Sequence, residues 1–292
     1  MTRPTVPGLL KGRIVRSPLG ALALAGLALL AIAAPLGCGP PTGAHLAGTP
    51  AKILMVKGYP LRMLLAQDER LAHTFVSRTT YVADTNVSRR AAPRLAGTVE
   101  PTAIYMSYAA FARDIAAGRV PRSAHAVLYD IEKWGATPLG EQRSPRVYMV
   151  RFSKLARAHG LLPILAPARD LVLVPGGSCV KRQGENLSEA YIRCGLASAD
   201  AQAGVLVVQS QVEQSDVPAF HDFLVLAARQ ARAGNPGVAV LAQLATAPLG
   251  HAASLAQLVA AARSVGGFVQ GFSLNIRVTD IQIADGLLRS FR

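Results

Sequence analysis

The chain lacks the short patterns that announce most common chemistries. It has no Gly-x-Ser-x-Gly turn, so a serine nucleophile on a strand-to-helix elbow is excluded. Its six histidines are scattered, with no His-x-His or His-Glu-x-x-His pair, which argues against a zinc site. No glycine-rich fingerprint follows an early strand, which argues against a dinucleotide cofactor. No cofactor of any kind is called for. No dense Lys/Arg run is interleaved with aromatics, which argues against nucleic acid as a partner. Heptads and fixed-period repeats are missing as well.

Acidic residues are scarce. Only 17 stand against 31 cations, giving a formal net charge of +14, and only six of the cations are Lys. Two readings of the excess stand. One is a basic surface with no specific partner. The other is attraction to anionic wall polymers or lipid headgroups outside the cell.

The first four dozen residues do not read as folded domain. Arg3, Lys11, Arg13 and Arg16 form a positive stretch with no acid. An apolar, Ala- and Leu-rich run from Leu19 to about Leu36 follows, then Gly37-Cys38-Gly39-Pro40-Pro41. This order predicts an export signal over 1–37 and a flexible tether over 38–50. An uncleaved membrane anchor is the alternative, since the run is about as long as a short spanning helix. Leu36-Gly37-Cys38 resembles the lipobox of bacterial lipoproteins, which implies lipid on Cys38 and a membrane anchor there. Pro35 stands where that motif has Leu, and an ordinary signal cleaved near Ala31-Ile32-Ala33 is the other reading.

Cysteine is rare too: Cys38, Cys179 and Cys194. With Cys38 set aside, export permits the other two to form a disulfide around the polar segment 180–193. Such a closure would stabilise the fold by about 3 kcal/mol. Two separate thiols are the alternative.

The rest of the chain is a rhythm of apolar strands and amphipathic helices. Strands are expected at 53–56, 74–83, 102–106, 126–132, 161–166, 204–211, 238–244 and 268–276. Helices are expected at 61–72, 111–117, from Ser144-Pro145 to Gly160, at 188–201, after Ser215-Asp216, and around 255–262. Residues 84–101 read as a loop. Strand-then-helix repetition with continuous apolar strands means parallel βαβ units. The expected fold is α/β, a single (β/α)8 barrel of the TIM type over 51–292, with an open doubly wound sheet as the alternative.

In such a fold the C-terminal ends of the strands carry the site. Here those ends turn polar. Asp130 and Glu132 end the fourth strand, two residues apart and therefore on one face. Arg169 and Asp170 follow the fifth strand, Gln209 and Gln211 the sixth, Gln243 the seventh and Asn275 the eighth. Tyr105 and Trp134, with Tyr129, are expected nearby. Carboxylates and amides hydrogen-bond hydroxyls, and aromatic faces stack on pyranose rings, so the ring suits a carbohydrate. Gln209 and Gln243 have a second reading, as inward-facing residues satisfied inside the barrel. A divalent ion on Asp130, Glu132 and Asp170 is a further alternative.

Asp130-Ile131-Glu132 resembles the tail of the motif of family 18 chitinase-like barrels. The resemblance implies Glu132 as general acid and Asp130 as the residue that orients the sugar's acetamido group. The longer family motif has further Asp upstream, where this chain has Ala126 and Leu128. More broadly, residues 100–276 look like a group of secreted bacterial barrels known by their glycosidase-like fold. Most glycosidases also need a second carboxylate across the cleft, for which Asp170 and Glu213 are the candidates; if neither reaches, substrate-assisted catalysis on an N-acetyl sugar is left. The expectation is an exported barrel acting on extracellular or cell-wall carbohydrate. A non-catalytic barrel that binds glycan or scaffolds the envelope is its rival.

Overall fold

Eight parallel strands close on themselves in chain order: β1 (Ile53–Lys57), β2 (Thr79–Asp84), β3 (Glu100–Tyr105), β4 (Ala126–Tyr129), β5 (Leu162–Leu165), β6 (Val205–Val208), β7 (Ala239–Ala245) and β8 (Gly271–Asn275). The computed structural model describes residues 51–84, 95 and 98–291. The expected signal, the tether and the lipidated Cys38 lie outside these residues, as does most of the 84–101 loop. The closing seam pairs β1 with β8, Ile53 opposite Gly271 and Val56 opposite Leu274. The (β/α)8 barrel is therefore the fold, and the open sheet is not.

Period-2 alternation sorts each strand's side chains into two apolar layers. Inside the barrel lie Met55, Tyr81, Ala83, Leu128, Ile164, Ala166, Val205, Val207 and Leu241. Between strands and helices lie Leu54, Val56, Val127, Tyr129, Leu206, Val208, Val240 and Leu274, packed on the helices' apolar faces.

Among the described residues the helices are α1 (Gly58–Gln67), α2 (Leu71–Val76), α3 (Tyr108–Ala116), α4 (Leu139–Arg143), α5 (Pro145–Ala158), α6 (Leu187–Arg193), α7 (Val217–Gly234), α8 (Leu255–Val265) and α9 (Ile281–Arg289). Local chemistry sets their ends. Asp216 caps α7, accepting from the Ala219 N–H at 3.1 Å. Ser254 and Gln257 form a reciprocal capping box on α8. Pro145 opens α5 at a position where its missing N–H costs nothing, but Ser144 makes no side-chain cap.

Several expected boundaries move. Thr74 to Val76 belong to α2, not to a strand, because Leu71, Thr74 and Phe75 are buried at helical spacing. The helix expected to reach Ala201 stops at Arg193, where Gly195 takes the left-handed conformation at φ 71° and ends it. The fourth strand's regular part ends at Tyr129. The loop 133–143 contains α4. α9 was not read from the sequence; it buries Ala284, Leu287 and Leu288 against the barrel's closing side.

Cys179 and Cys194 are bridged, their Cα atoms 5.5 Å apart. The bridge closes a 15-residue separation in the excursion between β5 and β6, tying the loop before α6 to the end of that helix. Arg193 stitches the same loop, donating to the Val180 carbonyl at 2.8 Å and pairing with Glu185. Replacing both cysteines with Ala should lower the unfolding free energy by about 3 kcal/mol. Denaturant titration of the variant, and of wild-type protein with and without reductant, measures it. An unchanged midpoint would assign the loop's order to Arg193 alone.

Candidate active site

The mouth of the barrel is built by extending the inward-facing parity past the strand ends. β4 stops formally at Tyr129, yet its backbone stays paired. The Asp130 N–H donates to the Tyr105 carbonyl, the Ala166 N–H to the Tyr129 carbonyl and the Ala168 N–H to the Ile131 carbonyl, each at 2.9 Å. Leu128, Asp130 and Glu132 therefore share the inner face, and all three line a cavity of about 100 Å³ at the mouth. Lys57, Gln209, Gln211, Gln243, Ser273 and Asn275 line the same cavity.

Gln209 joins the two acids. Its amide nitrogen donates toward Asp130 Oδ1 and Glu132 Oε1, both at 3.2 Å, and toward the Ala166 carbonyl at 3.3 Å. The two carboxylates thus meet at one donor. An amide nitrogen carries two hydrogens, so three acceptors cannot all be fully served. Two carboxylates this close repel each other when both are charged, and that repulsion favours a proton on one of them.

Electrostatics point to Glu132. Burial pushes its carboxyl up to about 7, with the charge of Asp130 adding to the effect and that of Asp170 contributing less. The Gln209 hydrogen bond and the Lys57 charge pull the other way without cancelling burial. Asp130 is also raised by burial, again opposed by Lys57.

The amides from β6 and β7 complete the lining. Gln211 Oε1 and Gln243 Oε1 are buried and have no hydrogen-bond partner. Both are acceptors in need of a donor, such as a hydroxyl of a bound ligand or water. The loop after β6, which carries Gln211, is clasped to β7, which carries Gln243. Ser210 donates to the Gln243 carbonyl at 3.0 Å, and the Gln214 side chain bonds both backbone groups of Ala245.

Not every residue expected at the mouth is there. Tyr105 faces the helices: its hydroxyl donates to Asp114 Oδ2 at 3.3 Å and its ring packs on Phe111. Tyr129 points the same way, donating to Glu141 at 2.6 Å. Arg169 is buried in an ion pair with Glu213, helped by Ser188, with its guanidinium over the ring of Phe223. It does not line the cavity, and the pairing removes Glu213 as a free second carboxylate. Trp134 sits on the loop after Glu132, outside the cavity lining; its indole N–H donates to Thr137 at 2.8 Å and it is 38% exposed. Asp170 neighbours Glu132 and accepts from the Lys133 N–H at 3.1 Å. Among the described residues no group of three or more His, Cys, Asp and Glu side chains converges to hold a metal ion, so the Asp130, Glu132 and Asp170 cation reading has no such cluster behind it. Lys57 and Ser273 are lining residues that sequence reasoning missed. Both lie two residues past an inward-facing position, Met55 and Gly271, so the period-2 rule finds them.

No family model and no curated protein sequence matches the chain. Solved structures resemble it in fold. Triosephosphate isomerase from Bartonella henselae aligns with a TM-score of 0.47 at 10% identity, covering 81% of this chain and 98% of that one. A chitinase from Chromobacterium violaceum aligns with a TM-score of 0.47 at 13% identity, over 81% and 99%. A Rhizomucor miehei beta-1,3-glucanosyltransferase aligns with a TM-score of 0.38 at 12% identity, over 71% and 80%.

Proposed function

We propose that the protein is a glycoside hydrolase acting on extracellular or cell-wall carbohydrate, with Glu132 as general acid. The observation that carries this reading is the carboxyl of Glu132. It lies at the barrel mouth, joined to Asp130 through Gln209, with a proton held to about neutrality by burial. A general acid must be protonated where it works, and a carboxyl that titrates near 7 meets that need.

In hydrolysis Glu132 gives its proton to the glycosidic oxygen as the bond to the anomeric carbon breaks. Water supplies the hydroxyl to that carbon, and its remaining proton goes to a carboxylate. With Glu213 occupied by Arg169, Asp170 is the candidate for that second role. Asp130 holds the polar end of the sugar beside the acid, and the open acceptors of Gln211 and Gln243 take its hydroxyls. Asn275 adds a donor at the rim, and Trp134 an aromatic face. The Cys179–Cys194 bridge supports an oxidising compartment, as export requires. Lipidation of Cys38 would hold the enzyme at the outer face of the cell membrane.

A second reading, a barrel that binds glycan without cleaving it, draws on the cavity's size. About 100 Å³ is below the roughly 300–1,000 Å³ of pockets that enclose a whole ligand. Reducing-end release from a panel of soluble polysaccharides separates the two readings. Turnover should appear on at least one and fall about tenfold per pH unit above about pH 7, as Glu132 loses its proton. Saturable binding with no release on any polymer would favour the non-catalytic barrel.

A further inference from the structure

We infer that the face of the barrel beside the mouth, over α4, the start of α5 and the disulfide-closed excursion, docks on an anionic lipid surface. Four aliphatic side chains stand out there. Leu139, Val147, Leu173 and Val180 are each 41–50% exposed. Cations surround them: Arg143 ends α4, Arg146, Arg151 and Lys154 lie on α5, and Lys181 and Arg182 follow Val180.

Hydrogen bonds between the segments make this one surface. The Ser178 N–H donates to the Arg143 carbonyl at 2.7 Å, and the Arg143 side chain donates to the Pro175 carbonyl at 3.0 Å. The Lys181 N–H donates to the Val172 carbonyl at 2.8 Å, so Leu173 and Val180 flank one bond. Leu139, Arg143, Val147 and Arg151 recur at four-residue spacing along the two consecutive helices.

Charge complementarity decides the occupant. Between residues 139 and 182 the only acids are Glu141 and Asp170. Glu141 is buried, accepting from Tyr129 and from the first N–H groups of α3. Asp170 is held by the Lys133 N–H. Glu185 is paired with Arg193, and Glu189 is exposed on α6, its carboxylate accepting from the Asn186 N–H. The six cations of the face outnumber these acids, so its net charge is positive. Cations interleaved with aliphatics match a lipid interface, where aliphatics enter the acyl boundary and Arg and Lys meet headgroup phosphates. Aliphatic side chains offer no flat face to a sugar ring, so an acidic glycan is the poorer match. Both segments follow strand ends, β4 and β5, so docking there brings the barrel mouth to the membrane surface.

Co-sedimentation of the full chain with vesicles tests this. Phosphatidylcholine vesicles are compared with vesicles containing a quarter phosphatidylglycerol, at low and high salt. The apolar run 19–36 and the cations Arg3, Lys11, Arg13 and Arg16 before it are the same in wild type and variants, so the readout is how much of the preference for anionic lipid each variant loses. Partitioning should favour the anionic vesicles and lose that preference at high salt. R151E/K181E/R182E should lower it about fivefold for each cation removed. V147S/L173S/V180S should weaken it as well, with circular dichroism confirming that both variants are folded. Equal partitioning into the two lipids, or wild-type partitioning by both variants, would overturn the inference. So would binding to soluble polygalacturonate that needs the cations but not the aliphatics, which would make an acidic glycan the partner.

Discussion

Glu132→Gln should lower kcat by about 10²–10⁴, the usual contribution of a general acid, while leaving glycan binding in place. The substitution keeps the shape and the polarity of the side chain but removes the proton. Gln209 still has Asp130 and the Ala166 carbonyl to bond. Stability should move the other way, and the sign follows from the folded-state pKa. Glu132 titrates at about 7 in the fold against 4.5 for the free side chain. The native state therefore binds the proton more tightly than the unfolded chain does. Its stabilising effect is complete below about 4.5 and is lost as pH rises to about 7. Above pH 7 wild type carries a buried carboxylate and the glutamine variant does not. The variant should then melt higher than wild type at pH 8, with the gap closing at pH 4. Thermal melts at the two pH values, beside initial rates, measure both halves. A variant that loses activity and also loses stability at pH 8 would mean that Glu132 is a structural anchor. Gln209→Leu offers a second check. It removes the bond that lowers the Glu132 pKa, so the alkaline limb of the rate profile should shift to higher pH as the rate falls.

The barrel was legible because its strands are apolar on both faces and its helices are not. That same feature hid the direction of individual side chains. Val127, Leu128 and Tyr129 read alike in the sequence, yet only Leu128 faces the barrel interior, and Tyr105 and Tyr129 turn together toward the helices. Asp130 and Glu132 were legible as a pair because the backbone stays extended past the last regular strand residue. Lys57 was legible by the same parity and was overlooked because a lone Lys at a strand end looks like ordinary surface. Arg169 illustrates a harder case. Its position after β5 suggested the mouth, but its direction depends on Glu213 and Ser188, which are 44 and 19 residues away in sequence. No local pattern encodes that meeting. α9 lies beyond the last strand end at Ile276, and its buried Ala284, Leu287 and Leu288 recur at helical spacing.

Arg169→Met should destabilise the fold by about 3–5 kcal/mol, the cost of leaving one partner of a buried ion pair alone. Arg169 is 8% exposed and the Glu213 side chain 18%. One oxygen of Glu213 already lacks a partner in the intact fold. Removing the guanidinium leaves that carboxylate with Ser188 alone among its polar contacts. For a domain of this size the loss corresponds to a fall in Tm on the order of 10 °C. The double variant Arg169→Met, Glu213→Leu should regain most of it, because an apolar pair needs no solvation and Phe223 is ready to pack against it. Denaturation of the two single variants and the double gives the coupling between the pair directly. The pair also fastens the residue before Asp170 to the loop that carries Gln209 and Gln211. The double variant should therefore fold well and still turn over more slowly than wild type, because stability is restored while the charged clasp between the two loops is not. Stability that does not recover in the double variant would locate the loss in packing around Arg169 instead of in the stranded charge.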